Sequence, residues 1–408
     1  MGNTGVTKKR ALGFDTIWRR IVIFVFIMIY CGFYYPQYLP YITLCYLLLG
    51  GTFIWQFVKS RQVPYTQFIW ISLLFISYSF VSTLWSVNYN VSQGAVLQLI
   101  KSFVVAVCVI SLIRSKDDYK WALFALSLAG IVYAILYLQN VDIDQLTDQR
   151  LYIEEEEDQL PNVNTVGLFL SFSFIYFIYT FFSERKYWYL LFAAIAFVVT
   201  FILGARKSII TLFIGILFLL FKLKSKSRIH ILLICCGFIF LLFLFIPPEY
   251  LDFVSERLSQ LNFFSDKINR LDDSDELRVI LFQQGLEYWG ESPLFGNGYY
   301  CFSQLFKMTN GVAVYSHNNF IETIVGGGII GFVLYYALYY VMLKRIWTKE
   351  RFLLDDRYLL LIIFVVLLFN SISIVILNER FIWILLGLMY VGASYVTAES
   401  YENRISGR

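Results

Sequence analysis

Histidine and charge are what this sequence has least of. Only 15% of its 408 residues are Asp, Glu, Lys or Arg, against about 25% in soluble globular domains. Hydrophobic residues make up 59%, and the mean hydropathy is +0.65. This balance excludes a soluble globular protein. Of the six cysteines, Cys31, Cys45, Cys108, Cys235 and Cys236 lie in or beside apolar runs and Cys301 stands apart. That placement excludes a disulfide framework, and with two histidines no Cys/His zinc spacing is present. A Walker-type phosphate loop and internal repeats are also missing, which leaves no basis in sequence for ATP-driven transport.

What is there instead is long apolar runs. Taking the roughly 20 apolar residues that a bilayer core requires, we read about twelve spans: 18–35, 38–58, 67–84, 92–113, 121–138, 165–182, 187–203, 208–221, 230–246, 319–341, 358–377 and 381–398. The expected fold class is therefore an all-α polytopic membrane protein. Cytoplasmic loops are enriched in Lys and Arg. With the N-terminus inside, 23 of the 33 basic residues fall in cytoplasmic segments, nine fall outside and Lys101 lies within a span. An even number of spans with both termini cytoplasmic is expected, and the net charge of +4 gives no argument for nucleic acid. The first run follows Lys8-Lys9-Arg10 without a small-residue cleavage site, as in an uncleaved anchor.

This pattern divides the chain into a transmembrane bundle of about nine spans at 1–246, an extracytoplasmic loop or cap at 247–316, and about three spans with a cytoplasmic tail at 317–408. Two outer connections are long. The one near 139–164 carries the acidic series Glu154 to Asp158, which reads as a solvated charge run, with a divalent-cation site as the alternative. The other has folded character. A helix with an apolar face (Val279, Ile280, Leu281, Leu286, Trp289) follows Asp275-Glu276, and Pro293, Gly296 and Gly298 impose turns.

Candidate chemistry gathers at the end of that loop. Ser316-His317-Asn318-Asn319 leads into an apolar helix with Gly326, Gly327, Gly328 and Gly331. His317 sits where a general base near neutral pH would be useful, or simply at a helix start. Asn318 and Glu322 are supporting candidates. Gly327 and Gly331 have the small-xxx-small spacing of closely packed helices. Arg206 and Lys207 occupy a tight outer turn, where basic residues are disfavoured unless something outside needs them. Arg206 suits phosphate oxygens through its planar donor fork, with a snorkelling side chain as the alternative. Arg278 in the cap is its expected partner.

Four elements, in order, carry a family resemblance: Ser82-Thr83-Leu84-Trp85-Ser86-Val87; Pro161-Asn162 to Gly167; Leu203-Gly204-Ala205-Arg206; and Arg278 followed by Pro293-Leu294-Phe295-Gly296-Asn297-Gly298, His317-Asn318, Gly328 and Gly331. Over about residues 80–340 the chain resembles the O-antigen ligase/polymerase superfamily of bacterial glycan-assembly proteins. Ala205 stands where many relatives have Ser, and Gly326 where many have an acid.

The resemblance implies a GT-C-like, inverting glycosyltransferase of the bacterial cytoplasmic membrane. It would use an undecaprenyl-diphosphate-linked oligosaccharide at the outer face, with neither cofactor nor metal. Arg206 and Arg278 would hold the diphosphate, His317 would be the base, and Tyr299, Tyr300 and Tyr315 would line the sugar path. Polymerisation of repeat units is preferred to ligation onto lipid A core, with a chain-length regulator and a flippase as pathway partners. A polysaccharide transporter is the third reading, disfavoured because the spans hold few ionisable residues.

Overall fold

The computed structural model describes residues 13–33, 39–60, 65–140, 162–203, 206–222, 273–347 and 355–405, with isolated positions between 229 and 237. We number the helices α1 (Phe14–Ile27), α2 (Leu39–Ser60), α3 (Thr66–Ser82), α4 (Tyr89–Leu112), α5 (Lys116–Asn140), α6 (Val163–Glu184), α7 (Tyr187–Ile202), α8 (Arg206–Lys222), α9 (Asp273–Glu291), α10 (Phe302–Asn310), α11 (Asn319–Ile346), α12 (Asp355–Ser371) and α13 (Arg380–Ile405). No strand occurs among the described residues. In hydrocarbon every backbone polar group must be satisfied within its own segment, which leaves the helix as the open choice for such apolar runs.

Among the described residues six helices are long and apolar enough to cross a membrane: Pro40–Ser60, Thr66–Trp85, Tyr89–Leu112, Lys116–Asn140, Val163–Glu184 and Asn319–Ile346. Four shorter apolar helices, Trp188–Ile202, Lys207–Leu220, Arg357–Ser371 and Arg380–Tyr395, accompany them. The chain is an all-α membrane protein. Most of the expected span 230–246, the acidic run Glu154 to Asp158 and cap residues 247–272 lie outside the described residues.

Helix α6 is the axis of the bundle. All its residues from Thr165 to Phe182 are buried, and α5, α7 and α8 pack around it. Its Phe169 ring stacks on Phe381 of α13, 4.2 Å between centroids. At one end of the bundle Asp118 of α5 accepts from Arg20 Nε at 2.7 Å and Arg19 Nη2 at 3.5 Å, binding α5 to α1. Arg345 of α11 donates there to Ser394 at 2.9 Å and Gln67 at 2.7 Å, and stacks on Tyr390. Lys101 is exposed on α4.

The described part of the cap, α9 and α10, sits beside the start of α11 around a small apolar core of Leu281, Phe302, Phe306, Ile321 and Val325. Helix α12 ends before the apolar run does. The sequence expects a span to 377, but the chain leaves the helix after Ser371, and residues 372–379 are turns and irregular backbone. Partners outside the helix explain the break. Ile376 N donates to Asn319 Oδ1 at 2.9 Å, and the Ser373 carbonyl accepts from Lys207 Nζ.

Candidate active site

The glycine-rich element and the Pro293–Gly298 turn form one backbone clasp. Asn297 N donates to Val325 O at 2.8 Å and Gly298 N to Gly326 O at 3.0 Å, while Ile329 N returns to Pro293 O at 2.9 Å and Ile330 N to Leu294 O at 3.3 Å. To accept the turn, α11 breaks at Gly328, with φ 59° and ψ −166°. A Cβ there would stand 2.3 Å from the Leu294 carbonyl oxygen, and one at Gly296 would stand 2.4 Å from Gly328 N. These glycines are required by backbone contact. Gly327 and Gly331 instead face the Tyr78 ring of α3, at 3.7 and 3.0 Å from a built Cβ, so the small-xxx-small spacing receives an aromatic side chain.

The Ser82–Val87 element closes the clasp from the other side. Trp85 Nε1 donates to Gly296 O at 3.2 Å, Tyr299 N to Ser82 Oγ at 3.0 Å, and Ser92 Oγ to Tyr299 O at 2.6 Å. Tyr78 Oη reaches both Phe295 O and Gly327 O at 2.9 Å. Two elements about 200 residues apart are thus one piece of architecture, with positioning as their role.

His317 is held from both neighbours. Glu322, fully buried one turn into α11, accepts from the Ser316 hydroxyl at 2.7 Å and the Ser316 N–H at 3.4 Å. Asn318 caps α11 by accepting from Phe320 N at 2.9 Å and Ile321 N at 3.1 Å. Between these anchors His317 takes a left-handed backbone, φ 51°, which a non-glycine residue adopts at some cost. Glu322 therefore fixes the residue before His317 and does not contact the imidazole through a hydrogen bond. The Tyr315 ring packs on the imidazole, and Asn162, the cap of α6, donates to the Tyr315 hydroxyl. This accounts for Asn162 of the Pro161-Asn162 element, of which Pro161 lies outside the described residues.

Two cations complete the group. Burial, then the fields of Lys207 and Arg278, lowers the His317 pKa from its usual 6.5 to about 3. Its buried Nδ1 has no hydrogen-bond partner among the described residues. The site therefore presents a neutral imidazole with an open nitrogen beside two positive side chains from different helices. Burial raises the Tyr315 hydroxyl, with Arg278 opposing and Glu379 and Glu322 reinforcing. Tyr299 is buried beneath, donating to Asn378 Oδ1 at 2.7 Å, and Tyr300 adjoins it with φ 60°. Arg206 opens α8 one residue before Lys207, and its side chain lies outside the described residues.

The structure thus brings together His317, Arg278, Lys207, Tyr315, Asn318 and Glu322, with Tyr299 below them. Sequence reading missed Asn378 and Glu379. The available signal was the polar interruption Asn378-Glu379-Arg380 between two apolar runs, at a position where the charge pattern expects no arginine. Among the described residues no three His, Cys, Asp or Glu side chains gather to hold a metal ion.

An anion would be drawn to this arrangement, and a hydroxyl would find a hydrogen-bond acceptor next to it. Residues 190–336 match the family model for O-antigen ligase. The resemblance to the O-antigen ligase/polymerase superfamily stands on that match. The matched O-antigen ligase region runs from α7 into α11, and includes Arg206, Lys207, Arg278, the clasp turn and His317. No curated protein matches the chain.

Proposed function

We propose that the protein is a glycan polymerase: an inverting, GT-C-like glycosyltransferase of about twelve spans that joins undecaprenyl-diphosphate-linked repeat units at the outer face of a bacterial cytoplasmic membrane. The observation that supports this best is the pair of cations, Lys207 and Arg278, acting on a buried neutral His317 within the O-antigen ligase region.

Glycosyl transfer from a lipid diphosphate develops negative charge on the leaving group. Fixed cations in a site of low dielectric stabilise that charge most as it forms. Lys207 supplies a point charge and Arg278 a forked donor, and Arg206, at the head of α8, is the third cation of the group. His317 hydrogen-bonds the acceptor hydroxyl and keeps a lone pair of the hydroxyl oxygen aimed at the anomeric carbon. Direct displacement inverts that carbon, and no second carboxylate is needed as a nucleophile. Tyr299, Tyr300 and Tyr315 give the aromatic surface on which sugars rest. Both termini lie in the cytoplasm, and a flippase and a chain-length regulator work beside the enzyme.

Purified protein supplied with lipid-linked repeat units is expected to give a ladder of products. One transfer onto lipid A core, with no ladder, would assign it as a ligase.

A further inference from the structure

Residues 372–379 break an apolar run, and four parts of the site are fastened to them. Lys207 of α8 donates to Ser373 O, and Asn319 of α11 accepts from Ile376 N at 2.9 Å. Tyr299 donates to Asn378 Oδ1 at 2.7 Å, and Thr165 of α6 donates to Glu379 Oε1 at 3.4 Å. The segment is a wall of the site, and Glu379 ends it.

Thr165 is the one hydrogen-bond donor to the Glu379 carboxylate among the described residues, and its bond is long. The remaining acceptor positions have no donor among the described residues, and the residue is partly exposed. Thr165 lies in the first turn of α6 with Asn162, which donates to the Tyr315 hydroxyl, and the Tyr315 ring packs on His317. Among the described residues the charged and titratable groups facing Glu379 are Arg380 and Tyr315. Tyr315 is also in the fields of Arg278 and Glu322, and its ring partner His317 is in that of Lys207.

We propose that Glu379 takes the proton from the attacking hydroxyl while His317 holds that hydroxyl in line. The hydroxyl oxygen forms a bond to the anomeric carbon. The bond from that carbon to the diphosphate oxygen breaks, its electron pair leaving on the diphosphate. The hydroxyl proton passes to the Glu379 carboxylate and from there to water. Basicity separates the two side chains. Burial lifts the Glu379 carboxyl to about 7, with Thr165 and Arg380 opposing, whereas His317 is held near 3. A proton acceptor works best with a pKa near the operating pH.

The inference rests on the transfer reading above, and one experiment separates their failures. Full-length protein is assayed with lipid-linked repeat units from pH 5 to 9, as wild type, Glu379→Gln and Glu379→Asp, with donor binding measured alongside. Wild-type transfer is expected to rise with pH through about 7. Glu379→Gln is expected to bind donor normally and to lose about 100- to 10,000-fold in rate, leaving a residual rate without that rise. Glu379→Asp should regain part of the rate together with the pH dependence. A wild-type rate in Glu379→Gln, or the same rise in a slower Glu379→Gln, overturns the proposal and returns the proton to His317. A wild-type profile flat between pH 6 and 8 overturns it without any variant. Absence of transfer by the wild type fails the transfer reading itself.

Discussion

The Tyr315 ring lies against the His317 imidazole, 3.9 Å between centroids and tilted by 35°. Because the same tyrosine accepts from Asn162, the first turn of α6 helps to set the imidazole. Tyr315→Phe keeps the ring and loses one hydrogen bond, so a fall in rate of up to about 10-fold is expected. Tyr315→Ala removes the surface that fixes the imidazole and should cost more. Steady-state rates for the two variants, compared at saturating donor, check the order.

His317→Ala is expected to lower transfer by about 100-fold, as when a reacting group loses its alignment, while leaving donor affinity near the wild-type value. Retained turnover would remove His317 from the chemistry. Loss of donor binding in the same proportion would move it to the anion site.

Arg278 and Lys207 differ in what each offers an anion. Arg278→Lys keeps the charge and loses the fork, so transfer should remain well below wild type. Arg278→Gln should fall about 100- to 1,000-fold, as when one donor is lost from a developing oxyanion. Full activity in Arg278→Lys would reduce its part to a charge.

The low pKa of His317 also gives a stability profile. Between pH 6.5 and about 3 the unfolded chain takes up a proton on this residue and the native state does not. Native stability from His317 is therefore present above pH 6.5 and lost as the pH falls. The melting temperature of His317→Gln should decline less than that of wild type from pH 7 to 5. Parallel curves would refute the assignment.

Gly328 and Gly327 are neighbours with opposite expectations. Gly328→Ala forces a side chain onto φ 59° and to 2.3 Å from a carbonyl oxygen, whereas a Cβ at Gly327 has 3.7 Å to the Tyr78 ring. The first should reduce folded yield and melting temperature, with strain alone costing about 1–3 kcal/mol. The second should be near neutral. Size-exclusion profiles and thermal melts distinguish them.

How much of this was legible varied with the kind of signal. Apolar runs read well as helices, because length and hydropathy decide them without knowledge of neighbours. The Ile374-Val375-Ile376-Leu377 stretch was misread as more span, since its backbone partners come from Asn319 and Lys207, far off in sequence. His317, Arg278 and Lys207 were legible as residues out of place in composition or charge. Glu379 was not, because a single carboxylate between spans acquires meaning only once Tyr315 and Thr165 are found beside it. The glycines gave a clear signal whose first explanation, helix packing, fitted Gly327 and Gly331 but not Gly328.

Gly298 and Ser316 are both tied to the opening turns of α11, one to the Gly326 carbonyl and the other to the Glu322 carboxylate. The chain between them, with α10, Tyr299, Tyr300 and Tyr315, is a loop closed at both ends on a single helix. In folding terms it is one cooperative unit. The imidazole, its stacking ring and the tyrosine floor are built or lost together with the first turns of a membrane helix.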